Sequence, residues 1–219
     1  MPGTSRLLTR VFISVVGRWS AFAVFVVGVA YGIALIVGFT TLGLTTPIVD
    51  PLLSIMEVLT LTAALLLLVM TATIHARASD DRKLAGAVAL AFMILATGTT
   101  SIVHFVELTA VRQLGAASLV WPSPMYAAEL LAWDVFLGLS LVFAALTFDN
   151  SGRARHVRLG LLVCGTLCLL GVVGPVTGNM RLQLVGVFGY GGVLPVVCLM
   201  VSRRFRDDAE FGQEQHAVS

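Results

Sequence analysis

Residues 19–39 read WSAFAVFVVGVAYGIALIVGF, 21 consecutive positions without a charged side chain. At about 1.5 Å of rise per residue, such a helix crosses a hydrocarbon layer about 30 Å thick. Arg6, Arg10 and Arg18 precede the run as they would in a secretory signal, but it is too long for a signal's apolar region. The expectation is an uncleaved first membrane helix. Comparable apolar segments follow at residues 51–74, 84–106, 124–148, 157–176 and 182–201. Asp50-Pro51 and Ser123-Pro124 mark two of the starts, each with a capping side chain ahead of a proline suited to the first helical turn.

Composition agrees with this segmentation. Of 219 residues, 58% are hydrophobic and 12% charged, and mean hydropathy is +0.95, so lipid must be the solvent. The predicted fold class is all-α: a polytopic membrane bundle of six transmembrane helices at residues 19–202, after an N-terminal segment (1–18) and before a polar tail (203–219). No extramembrane domain fits between spans this closely spaced. In the N-terminal segment Arg6, Arg10 and Ser14 recur at i,i+4 among apolar residues, which fits either an amphipathic interfacial helix or an extension of the first span. The tail, with Glu210, Gln213 and Glu214, is expected to be disordered.

Basic residues report orientation. Of the 14 Lys and Arg, 12 fall before the first span, in the second and fourth connectors, or after the last span. Arg112 and Arg181 are the two on the other side. Cytoplasmic loops retain Lys and Arg, so both termini are expected in the cytoplasm. These charges form short clusters and not the continuous basic face that phosphate backbones require, which argues against nucleic acid as a partner.

Ionisable groups at membrane depth cost about 2.5 to 3.5 kcal/mol each to insert, which makes them the candidate site residues. Glu57 comes about 9 Å along the second helix, Glu129 and Asp134 about 8 and 15 Å along the fourth, and His104 and Glu107 at the end of the third. All five therefore fall in the outer half of the bilayer. Thr97, Thr100, Ser101, His104 and Glu107 form one polar stripe at three- and four-residue steps. Tyr126, Glu129 and Trp133 share a face, whereas Asp134 is turned about 140° from Glu129, toward a different helix contact. Arg112 and Arg181, with Asn179, Gln183 and Tyr190, lie at the same level. His104 and Glu107 are weak metal candidates, since an H-x-x-E pair with one histidine sets no coordination geometry, and no cofactor is predicted.

Three readings of this cluster stay open. It can bind or transport a small polar or lipid ligand or a proton. It can serve a membrane-embedded enzyme acting on a lipid or isoprenoid-like substrate, with the carboxylates and His104 as general acid and base. It can be a set of ion pairs, for example Glu with Arg112 or Arg181, in a structural or accessory subunit. The absence of Walker, dinucleotide, H-E-x-x-H and G-x-S-x-G patterns leans against an enzyme of those kinds. Cys164, Cys168 and Cys198 lie in apolar segments and read as small buried residues. Gly28 and Gly32 form a GxxxG that fits packing inside one chain or a homo-oligomer, and Gly186, Gly189, Gly191, Gly192 and Pro195 predict irregular backbone in the last helix.

Through Glu57, Val103-His104-Phe105-Val106-Glu107-Leu108 and Leu131-Ala132-Trp133-Asp134-Val135-Phe136-Leu137-Gly138, the chain resembles uncharacterised six-helix bacterial integral membrane proteins of unknown function. The resemblance covers helix spacing over most of the length and implies a bacterial plasma (inner) membrane. It implies no activity.

Overall fold

The computed structural model describes residues 2–43, 48–114 and 120–217, and these are helical apart from short turns. Among the described residues six helical stretches are long and apolar enough to cross a membrane: Thr9–Leu42, Leu52–Arg77, Asp80–Val111, Pro124–Ala145, Gly152–Thr177 and Met180–Asp207. The chain is an all-α, multi-pass membrane protein. Large apolar side chains such as Ile36, Ile102, Phe105 and Val176 are exposed around the outside, as a lipid-facing surface requires.

Each span packs against the next, and the first also packs along the last, so the six form a closed ring. The seam between first and last spans is tight because Gly28 faces Pro195: a Cβ there would lie 2.7 Å from the proline ring. Gly32 has nothing within 4 Å, so only half of the GxxxG is used inside the chain. Small residues allow close approach at the fourth and fifth spans too, where a Cβ on Gly165 would lie 2.7 Å from the Gly138 carbonyl oxygen.

Both termini lie at one end of the ring, where Phe205 of the sixth span packs against Gly17 of the first. The first helix runs unbroken from Pro2 to Leu42, so the amphipathic N-terminal segment continues the first span. The last helix likewise continues to Ala217, past the boundary expected at residue 203, with Phe205 buried against the first helix. Cys164, Cys168 and Cys198 are free and fully buried, with the Cys164 thiol donating to the Gly189 carbonyl at 3.2 Å.

Candidate functional site

The candidate site lies at the end of the ring opposite the termini, and its centre is a contact between the third and fourth spans. His104 Nε2 lies 2.9 Å from Glu129 Oε1. The Trp133 indole N–H donates to the same oxygen at 2.5 Å, one helical turn farther along the fourth span. His104 is 5% exposed and the Glu129 side chain 16%, so the contact is largely, not wholly, withdrawn from the surface. Its register comes from both helices: Ser123 Oγ accepts the Tyr126 amide to start the fourth span, and Thr97 Oγ1 donates to the Ala64 carbonyl to fix the third against the second.

Two more acids face this pair from neighbouring elements. Glu57 of the second span is 5% exposed and Glu107 of the third is 7% exposed. Both are within electrostatic range of His104, and Glu57 is also within range of Glu107. His104 Nδ1, Glu107 Oε1 and Glu129 Oε2 are buried without a hydrogen-bond partner in the protein. Buried polar atoms are normally satisfied, so three such atoms near the His104–Glu129 contact set this region apart from the rest of the bundle. Of the three carboxyl groups, Glu129 touches the imidazole, while Glu57 and Glu107 lie within its electrostatic range.

The arginines make no direct contact with these acids among the described residues, although Arg112 lies within electrostatic range of Glu57. Arg112 pairs with Asp50 at 3.1 Å on the exposed rim, and Arg181 is exposed at the start of the sixth span. Asp50 is preoccupied locally: its carboxylate accepts the Ser54 hydroxyl at 2.5 Å and the Ser54 amide at 3.2 Å, capping the second span. The Ser54 hydrogen bond, helped by Arg112, holds the Asp50 carboxyl below its usual range.

Asp134 belongs to a separate centre. It is wholly buried, and its carboxylate is wedged between two glycines: a Cβ on Gly186 would lie 2.5 Å from Oδ1, and one on Gly171 2.9 Å. The Gln183 side chain lies close to this carboxyl, though neither oxygen makes a hydrogen bond of full geometry. The two centres are joined through aromatic side chains. The Trp133 ring packs on Tyr190 with centroids 5.4 Å apart, and the Tyr190 hydroxyl accepts from Gln183 Nε2 at 3.0 Å.

π-helical turns occur at Glu107–Val111, Leu131–Leu137 and Phe188–Val193, each carrying or adjoining a member of these centres. A π turn inserts one residue into the α ladder and re-aims the side chains around it, a feature that concentrates at functional sites. Tyr31 of the first span, within electrostatic range of Glu129, was missed by sequence reasoning. The available signal was one phenol in an otherwise charge-free run.

Among the described residues no group of three or more His, Cys, Asp or Glu side chains is arranged to hold a metal ion, so His104 and Glu107 have no third protein ligand there. Comparison of the chain with known families, curated proteins and solved structures finds no match.

Proposed function

We propose that this is a bacterial inner-membrane protein with both termini in the cytoplasm, and that the Glu57, His104, Glu107 and Glu129 cluster binds or passes a proton or small ligand from the outer side. The observation that carries the reading is the His104–Glu129 pair, whose remaining atoms, Nδ1 and Oε2, are buried and unpartnered in the protein. A purely structural pair gains most when its remaining hydrogen-bonding capacity is satisfied. Here the spare capacity sits beside two further buried acids, an arrangement that favours uptake of positive charge.

Glu129 Oε1 engages one ring nitrogen of His104, leaving Nδ1 without a partner in the protein. Trp133 holds Glu129 from the other side, leaving Oε2 as the open acceptor. Infrared difference spectroscopy of the protein in lipid, recorded through a pH titration, tests the assignment. The expected result is a protonated-carboxyl band that titrates reversibly and that Glu129→Gln alters and His104→Ala shifts. A spectrum identical in the wild type and both variants would remove the proposal's basis.

A further inference from the structure

Asp134 is a buried acid that the proposed function leaves unused, and three spans build its seat. It stands midway along the Pro124–Ala145 span, in the Leu131–Leu137 π turn. Gly171 of the fifth span and Gly186 of the sixth face its carboxyl group so closely that a side chain on either would press on it. The Gln183 side chain lies close to Asp134 while its Nε2 donates to the Tyr190 hydroxyl, and Tyr190 comes from the Phe188–Val193 π turn. Both Asp134 oxygens are buried without a hydrogen bond of full geometry, and among the described residues no Lys, Arg or His pairs with them. All three tyrosines of the chain gather around this acid and Glu129. Tyr126 is within electrostatic range of both carboxyl groups, Tyr190 of Asp134, and Tyr31 of Glu129.

We propose that Asp134 is a second proton-binding site, at mid-depth in the bilayer, which exchanges protons with the Glu129–His104 cluster through a tyrosine hydroxyl. The inference rests on the reading of that cluster as a proton site. A carboxylate with no cation beside it is costly at this depth, whereas the neutral acid fits the same seat and brings an O–H donor. The titratable neighbours are Tyr126 on its own span and Tyr190 on the sixth, while the fifth presents Gly171. A tyrosine hydroxyl accepts one proton as it gives up another, so the step leaves it unchanged. The proton leaves the Glu129 carboxyl, which becomes ionised, and arrives on the Asp134 carboxylate, which becomes neutral. Tyr126 is placed for that step, since both carboxyl groups are within its electrostatic range. Packing alone would be served as well by an amide of the same shape, which holds no exchangeable acid proton.

The test uses the full chain in lipid nanodiscs at neutral pH, read by infrared spectroscopy before and after transfer to heavy water. The expected result is a protonated-carboxyl band that Asp134→Asn removes and that moves to lower frequency as its proton exchanges for deuterium. Aspartate labelled with carbon-13 at the side-chain carboxyl must shift the same band, an assignment that needs no substitution if Asp134→Asn does not fold. Exchange by way of the cluster predicts that Glu129→Gln and Tyr126→Phe each keep the band but slow its deuteration at least about tenfold. The proposal is overturned if no band responds to Asp134→Asn or to the label, or if the band deuterates at the wild-type rate in either variant. The cluster's own failure is read elsewhere, as the absence of a titrating Glu129 band, so the two can be told apart.

Discussion

At Glu129 one carboxylate oxygen takes both the His104 ring and the Trp133 indole, so each partner can be removed separately and the pair probed from two sides. Trp133→Phe keeps an aromatic ring but deletes the donor, and should cost about 1.5 to 3 kcal/mol in thermal unfolding of the detergent-solubilised protein, the range for a hydrogen bond to a charged group. His104→Ala strands a buried carboxylate and should cost more, about 3 to 5 kcal/mol. Equal, negligible losses would mean the pair carries no structural energy. The rim behaves differently. Because Asp50 titrates below its usual range, the stabilisation from its contacts is fully present above the ordinary carboxylate pKa and is lost as pH falls through the lowered value. The wild type's advantage over Asp50→Asn in melting temperature should therefore be present at neutral pH and vanish in acid. The buried acids and His104 were legible from sequence because charges are so costly at membrane depth. Their actual partners were not: His104 reaches across to Glu129, 25 residues away, and Arg112 turns to Asp50, choices that depend on how helices dock.

At the scale of helices, the pattern of spans followed from apolar run length, whereas Asp134 sits in the Leu131–Leu137 π turn, where α-helical projection does not hold. The π turns were not legible, because an inserted residue leaves no mark in hydrophobic periodicity, and the glycines near 186–192 pointed only to irregular backbone in one of the three cases. Glycine contacts give a clean comparison. A Cβ on Gly174 would meet the Gln183 backbone nitrogen at 2.6 Å, where the fifth span turns into the sixth, while one on Gly32 meets nothing. Gly174→Ala should lower stability by about 1 to 3 kcal/mol, with displacement of Gln183 from Tyr190, and Gly32→Ala should be neutral. Similar melting temperatures for the two variants would contradict this packing of the fifth and sixth spans.

The whole molecule is a ring with different chemistry at its two ends: buried carboxyl groups and an imidazole away from the termini, and arginines paired with Asp81, Asp149 and Asp207 beside them. The twelve-to-two division of basic residues foreshadowed this polarity, and it supports a cytoplasmic position for the termini. Ring closure between the first and last spans was not foreseeable, since their contact through Gly28 and Pro195 joins residues far apart in the chain. Closure matters because it brings Tyr31 toward Glu129 and shields the cluster's remaining sides. The central claim, that this cluster takes up positive charge from the face opposite the termini, is tested most directly by charge displacement in uniformly oriented proteoliposomes after a pH step applied to each side in turn. A transient current is expected when the step is applied opposite the termini, reduced at least about tenfold in Glu129→Gln. No current from that side, or the same current in wild type and Glu129→Gln, would contradict the account.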